Sequence, residues 1–195
     1  MKVILASESP RRKALLSSIG CKYEAYSPNV DESILEGETP EYACKRLSIS
    51  KAENASLLYT DALVIAADTI VVINSRIFGK PRDATEAKLM LNILNGSEHR
   101  VITGITVIFN GATITETETT LVRFRKLSED DMDAYISTGE YQGKAGAYAI
   151  QGYGSLFIER IDGDYFNVVG LPLQKLSIML EGIGIEFREQ LKLGQ

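Results

Sequence analysis

The sequence predicts an α/β fold with a mixed, curved sheet and flanking helices, arranged in two lobes around a cleft. Helix-start signals alternate with strand-like apolar runs along the chain. The run Leu63–Ile73 carries apolar residues on both faces, as expected of a central strand. Asn110-Gly111 lies between two further strand-like runs and is typical of a hairpin turn, so part of the sheet is antiparallel.

The individual elements follow from local start and stop signals. Val3–Ala6 is a short apolar run, Ser9-Pro10 favours a helix start, and Gly20 favours a helix end, so residues 3–20 are predicted as strand, loop and helix. Similar signals predict further helices from Thr39-Pro40 to about residue 55, from Asp83 to Leu94, from Ser128 to Gly139 and over 173–181. Further strands are predicted at 63–73, 100–109, 112–125 and 156–161. No linker-like segment divides the chain, so residues 1–195 are predicted to form a single domain.

Composition excludes several classes of protein. The net charge of −5 argues against a non-specific nucleic-acid binder, which needs a broad positive field, but not against a small anionic ligand. Two cysteines, Cys21 and Cys44, are too few for a disulfide scaffold. No apolar run approaches the roughly 20 residues of a membrane span. We therefore expect a cytoplasmic protein without a membrane or nucleic-acid partner.

Asp68 is the first candidate for chemistry, because it interrupts the apolar strand Leu63–Ile73. A carboxylate at such a position must be paired, protonated or bound to a cation. The alternative is a structural aspartate that bonds to a neighbouring loop. Buried ionisable groups cluster at functional sites, which favours the first interpretation.

The start of the first helix is the second candidate. Ser7, Ser9, Arg11 and Arg12 crowd a helix N-terminus, where unpaired N–H groups and the helix dipole attract anions. Arginines there oppose the dipole, and an anion such as phosphate explains them. The alternative is that both arginines are solvated surface charges.

Three more residues are weaker candidates, and missing motifs narrow the chemistry. Glu32 is a loop acid, Lys51 lies on the inward side of its helix, and Lys80 stands in Gly79-Lys80-Pro81. His99 is the only histidine, which rules out a His-rich zinc site. The segment 139–145 is similar to a phosphate-binding loop but is one residue short and ends in Ala rather than Ser or Thr. Carboxylates, lysines and arginines remain, which suit a Mg-type cation and phosphates.

Taken together, ordered segments across residues 5–172 resemble the Maf family of nucleotide pyrophosphatases. Each segment alone is modest, but the ordered set is specific. The matching segments are Leu5-Ala6-Ser7-Glu8-Ser9-Pro10-Arg11-Arg12, Val30-Asp31-Glu32, Arg46-Leu47 with Lys51-Ala52, Ala67-Asp68-Thr69, Gly79-Lys80-Pro81, His99-Arg100-Val101-Ile102-Thr103-Gly104, Gly143-Lys144-Ala145-Gly146-Ala147-Tyr148, Ile150-Gln151-Gly152 and Asn167-Val168-Val169-Gly170-Leu171-Pro172.

The resemblance implies a fold like that of the inosine triphosphate pyrophosphatases, a homodimer, and dependence on Mg or Mn. It implies that this chain hydrolyses nucleoside triphosphates to monophosphate and pyrophosphate. The roles it implies are metal binding and water activation by Asp68 and Glu32, triphosphate binding by Lys51 and Lys80, phosphate binding by Ser7, Arg11 and Arg12, and base contact by Gln151.

Base preference follows from the segment before Gly152. Ala147-Tyr148-Ala149-Ile150-Gln151-Gly152 is similar to the branch that acts on dTTP and UTP. Two departures from many members are Tyr141, where Pro is usual, and Ala149, where Gly is usual. Neither touches a predicted catalytic group, although Ala149 is placed to reshape the base pocket.

Two other functions remain as alternatives. The first is a non-catalytic nucleotide sensor that regulates septum formation and cell division, which predicts binding without turnover. The second is a single-stranded nucleic-acid binder, which the acidic charge disfavours.

Overall fold

A computed structural model describes residues 1–186 of the chain. Residues 187–195 of the predicted domain lie outside the described residues. The strands of the described part are β1 (Val3–Ala6), β2 (Glu24–Tyr26), β3 (Leu63–Ile73), β4 (Arg76–Phe78), β5 (Glu98–Phe109), β6 (Ala112–Phe124) and β7 (Ile158–Asp162). Its helices are α1 (Pro10–Ser18), α2 (Pro40–Ser56), α3 (Ala84–Leu94), α4 (Glu129–Ser137), α5 (Tyr165–Val169) and α6 (Leu173–Gly182). None of these helices has the length and apolar character that a membrane span requires.

The strands within residues 1–186 form one mixed, seven-stranded sheet in the order β2-β1-β3-β5-β6-β7, with β4 paired to β3. β1 pairs in parallel with β2 and with β3, and Ala6 aligns with Ala66 in the second pairing. β4 and β7 pair in antiparallel fashion with β3 and β6. The predicted α/β class with a mixed sheet and flanking helices is therefore confirmed.

Side-chain caps explain where the helices begin. Ser9, Thr39 and Asp83 each accept a hydrogen bond from a backbone N–H three residues ahead, at the starts of α1, α2 and α3. Ser128 and Asp131 form a reciprocal capping box at α4. At α3 such a box is only half formed, because the Glu86 carboxylate accepts from the Arg82 N–H and not from the Asp83 N–H.

The chain divides into two compact units. Among the described residues, the first contains 1–68, 103–118 and 170–186, and the second contains 69–102 and 119–169. In the first unit, a core of small and branched side chains includes Ile4, Ala52 and Val64. In the second, a larger core includes Leu91, Phe124 and many aromatic side chains. Strands β3, β5 and β6 each contribute residues to both units.

The structure differs from the predicted elements in a few short segments. β2, β4 and α5 were not predicted, and β7 begins at Ile158 rather than at 156. The shift at β7 arises because residues 152–157 form a 3-10 segment. β4 follows β3 through Asn74 and Ser75, both with positive φ, which makes a tight hairpin without glycine.

Candidate functional site

Asp68 and Lys51 form the centre of the candidate site, within the first unit. Asp68 is carried by β3 and is 7% exposed, and Lys51 is carried by α2 and is 5% exposed. The Lys51 ammonium donates a short hydrogen bond to Asp68 Oδ1. The buried carboxylate is thus paired with a buried cation rather than with a loop, as burial of either charge requires.

Glu32 reaches the same ammonium from the irregular segment before α2. Lys51 Nζ lies 2.7 Å from Glu32 Oε1, and the Glu32 side chain is 41% exposed. One ammonium therefore bridges two carboxylates from different parts of the chain, one buried and one open to solvent. The structure brings together the predicted residues Glu32, Lys51 and Asp68.

Arg12 lies beside this cluster in the first turn of α1. Its Nε donates to the Gly170 carbonyl at 2.7 Å, and its Nη1 donates to Ser7 Oγ at 3.2 Å. Arg12 and Ser7 are both buried, so the interpretation of Arg12 as a solvated surface charge is wrong. These contacts hold Ser7 and Arg12 together at the start of α1.

The pKa of Arg12 reflects its burial and the charges of its neighbours. Burial lowers the pKa of Arg12, and the attraction of Asp68, followed by that of Glu32, works against this decrease. The neighbouring Arg11 guanidinium lowers the pKa of Arg12 further. Arg11 is only partly buried, so its side chain borders solvent. The first unit thus gathers two carboxylates and three cations around one helix N-terminus, which is suited to an anion that carries its own cation.

The donor set fits a small divalent cation. Asp68 and Glu32 supply carboxylate oxygens, which Mg and Mn prefer over nitrogen or sulfur ligands. The Lys51 ammonium between them stands where positive charge is stabilised. Within residues 1–186, no three or more His, Cys, Asp or Glu side chains form a metal cluster. Asp68 and Glu32 are therefore the residues of this cluster that could hold such a cation.

Lys80 and Gln151 belong to the second unit. Lys80 is exposed on the loop after β4, where it lines a groove of about 430 Å³ between β4 and α3. Gln151 is exposed at the start of the 3-10 segment 152–157. Its neighbours are fixed by Glu140, whose two carboxylate oxygens accept from the N–H groups of Tyr153 and Gly154, each at 2.9 Å.

Sequence reasoning missed the contacts of Glu140 and of the Gly170 carbonyl. From the sequence, Glu140 is only one residue of the segment 139–145, which fails the phosphate-binding pattern. The signal that Glu140 offers is its negative charge, since carboxylates accept hydrogen bonds from the free N–H groups at the start of a helix. The hydrogen bond to the Gly170 carbonyl could not be predicted from residue types, because every residue carries a backbone carbonyl.

The family model and the curated relatives point to the same family. The family model described as Maf-like protein matches residues 2–183. Curated relatives named dTTP/UTP pyrophosphatase occur in Clostridioides difficile (44% identical, covering 93% of this chain and 94% of that protein), Syntrophomonas wolfei (47%, 90% and 94%) and Bacillus pumilus (45%, 94% and 97%). A solved structure of the Staphylococcus aureus Ham1 protein aligns with 64% of this chain and 72% of its own, at 16% identity and a TM-score of 0.43, which is too limited an overlap to carry an argument.

Proposed function

Because this chain belongs to the Maf-like protein family, we propose that it is a pyrophosphatase that hydrolyses dTTP and UTP to the monophosphate and pyrophosphate. The observation that carries the proposal is the Lys51 ammonium that bridges Asp68 and Glu32 beside the start of α1. A helix N-terminus with buried arginine is suited to phosphates, and paired carboxylates are suited to holding a cation and orienting a water.

In the proposed reaction, a water oxygen attacks the α-phosphorus and the bond from this phosphorus to the β-phosphate oxygen breaks. Asp68 orients the water and accepts its proton. Lys51, Arg11 and Arg12 offset the negative charge that grows on the leaving pyrophosphate. Phosphoryl transfer depends mainly on such positioning and charge stabilisation, and it needs no covalent intermediate with the protein.

Asp68 and Glu32 are the residues that would hold a divalent cation, which we propose to be Mg or Mn. When bound, the cation would withdraw charge from the phosphates and make the attacking water more acidic. In this scheme Lys51 exchanges part of its contact with the carboxylates for contact with the phosphates.

Lys80 and Gln151 complete the proposed substrate contacts. Lys80 is exposed and follows a glycine, so its ammonium is accessible to a triphosphate. Gln151 offers an amide that can donate to and accept from a pyrimidine edge. The names of the relatives support dTTP and UTP as substrates. Ala149 replaces the glycine that is usual beside the proposed base pocket, so the base preference is a separate part of the proposal.

The proposal for the whole protein is a cytoplasmic homodimer with one catalytic domain per chain. The family match over residues 2–183 supports one domain. Cytoplasmic location is consistent with a nucleotide substrate, and neither nucleic acid nor membrane is part of the proposed function.

The test is pyrophosphate release from a panel of nucleoside triphosphates with Mg or Mn. We expect release from dTTP and UTP by the wild type. In Asp68→Asn we expect the rate to fall at least about a hundredfold, because an amide neither holds a cation nor accepts the proton as a carboxylate does. The thermal unfolding of both proteins shows whether the fold is retained.

Asp61→Asn is the matched control, since Asp61 is an exposed aspartate just before β3 and should leave the rate unchanged. A rate near that of wild type in Asp68→Asn would remove Asp68 from the mechanism. Nucleotide binding by the wild type without release of pyrophosphate from any nucleotide would favour the nucleotide sensor instead.

A further inference from the structure

Glu32 is carried by an exposed segment, residues 27–38, that contains no helix or strand. We refer to this segment as the strap. The side chains of residues 31–37 are exposed, so packing contributes little to fixing their position. Yet the strap brings the Glu32 carboxylate to within 2.7 Å of the Lys51 ammonium. Some other contact must hold the strap in place.

Polar contacts tie the strap at both ends. At its beginning, Ser27 donates a short hydrogen bond to the Glu8 carboxylate, with both side chains exposed. At its end, the Glu38 carboxylate accepts from Arg46 Nε and, at 2.9 Å, from Arg46 Nη2. Because the Glu38 side chain is only 6% exposed, the second tie is the more sheltered one.

Arg46 also contacts the backbone next to Glu32. Its Nη2 donates to the Ser33 carbonyl at 2.8 Å, and Glu38 Oε2 accepts from the Leu35 N–H at 2.9 Å. A single guanidinium thus contacts both the Ser33 carbonyl, one residue after Glu32, and the carboxylate of Glu38, which ends the strap. The hydrogen bond from Arg46 holds the pKa of Glu38 below its usual range. Glu38 therefore stays ionised near neutral pH and keeps the negative charge that pairs with Arg46.

Arg46 and Lys51 are both carried by α2. The helix is rigid, so the distance between the guanidinium that holds the strap and the ammonium that receives Glu32 is set by helix geometry. The planar guanidinium binds a carboxylate through two parallel hydrogen bonds, which fixes orientation as well as distance. Lysine would supply the charge without that orientation.

We propose that Arg46 is a positioning residue, which places Glu32 against Lys51 by holding the strap through Glu38 and the Ser33 carbonyl. The effect on turnover rests on the proposed function, whereas the effect on the strap does not. Arg46 contacts no reacting group in this scheme and acts only through Glu32.

The first test is a double-mutant cycle on pyrophosphate release. We expect Arg46→Gln to lower kcat about tenfold to a hundredfold in the wild-type background, because misplacing a catalytic group by about 1 Å has effects of this size. In a Glu32→Gln background the same change should lower kcat little further. Equal losses in both backgrounds would indicate a general structural role and overturn the proposal.

Two further variants separate the effect of the paired hydrogen bonds from the effect of the positive charge, and a third is the control. Arg46→Lys should lose nearly as much kcat as Arg46→Gln, because it cannot form the paired hydrogen bonds. Glu38→Gln removes the ion pair from the other side and should give a similar loss. Arg123→Gln is the matched control, since it breaks an exposed Arg–Glu pair with Glu159 in the second unit and should leave kcat unchanged.

Amide hydrogen exchange tests the strap independently of turnover. We expect the Leu35 amide to exchange faster in Arg46→Gln and Arg46→Lys than in wild type and Arg123→Gln, with exchange in β3 unchanged. Unchanged protection at Leu35 would overturn the proposal. If wild type released no pyrophosphate but Leu35 still depended on Arg46, the proposed function would fail while the positioning of the strap would stand.

Discussion

Lys51 is the residue on which the candidate site depends, because its ammonium contacts both carboxylates. A buried ion pair adds little net stability, since desolvation of the charges offsets most of their attraction. Removing one partner, however, leaves an uncompensated buried charge. The cluster of Lys51, Asp68 and Glu32 is therefore better explained by a role in the proposed reaction than by a contribution to folding stability.

His99 shows the opposite case, a buried titratable residue with a structural role. Its Nε2 hydrogen-bonds to Tyr148 Oη at 2.8 Å, and its ring packs edge-on against Phe124 and Tyr148. Burial lowers the pKa of His99 to about 4 and raises that of Tyr148, so both side chains are neutral near pH 7. No charge at this position is available for catalysis.

The depressed pKa of His99 predicts a loss of stability in acid. The unfolded chain takes up this proton near pH 6.5 and the folded chain only near pH 4, so stability is fully present above pH 6.5 and declines as the pH falls toward 4. The free energy of unfolding should decrease by about 3 kcal/mol from this group between pH 7.5 and pH 4. Urea unfolding at both values checks this.

His99→Gln is the control for this prediction, since glutamine does not titrate. The wild type should lose more stability than His99→Gln between the two pH values. The same loss in both proteins would mean that His99 does not contribute to the acid sensitivity.

At the residue scale, the sequence predicts which side chains matter better than it predicts their partners. Asp68 was predicted from its place in an apolar strand, which is a local signal. Its partner Lys51 lies 17 residues away, and the His99–Tyr148 hydrogen bond joins residues 49 apart. Such pairings depend on the packing of whole elements, which the identity of single residues does not specify.

At the scale of elements, the contact between α2 and β5 positions Lys51. A Cβ atom added at Gly104 of β5 would lie 2.3 Å from the Cys44 carbonyl oxygen of α2, which is far inside the normal contact distance. Glycine at this position therefore lets the helix backbone lie directly on the strand. The close approach sets the height of α2, and so of Lys51, above the sheet.

Gly104→Ala should be strongly destabilising for this reason. The added methyl group meets backbone on a buried helix, which cannot move aside as a side chain can. We expect the free energy of unfolding to fall by at least about 2 kcal/mol, measured by urea unfolding. Gly79→Ala is the control: it has no atom within 4 Å of the added Cβ and should change stability little. Equal effects would show that the contact is not tight.

The long elements and the four-residue strand β1 were predicted well, whereas the three-residue strands were not predicted. The caps Ser9, Thr39 and Ser128 are local and marked the helix starts correctly. β2 and β4 contain three residues each, and they exist as strands only because a neighbouring strand pairs with them. No periodic pattern can emerge over so few residues, so the sequence offers no signal for them.

At the scale of the whole molecule, two cores are joined by three shared strands. Val64 is fully buried in the core of the first unit and Val122 in that of the second. The strands that carry them, β3 and β6, contribute residues to both units. A mixed sheet was predicted from the sequence, whereas the order of its strands was not, because order depends on pairings between residues far apart in the chain.

The shared strands predict that the chain unfolds in one cooperative transition. Val64→Ala and Val122→Ala remove the same two methyl groups from different cores, and each should lower the free energy of unfolding by about 2 kcal/mol. Calorimetry should show a single peak that shifts to lower temperature in both variants. Two separate peaks, of which each variant moves only one, would show that the units unfold independently.

The Lys51 bridge has a practical consequence for handling the protein. Some metalloproteins unfold in a chelator because metal binding supplies much of their folding free energy. Here the chain supplies its own counter-ion: with Lys51 and Arg12 charged, the formal charges of Asp68 and Glu32 are balanced without any added cation. We therefore expect the protein to keep its fold in a chelating buffer, with the proposed divalent cation added only when the reaction is started.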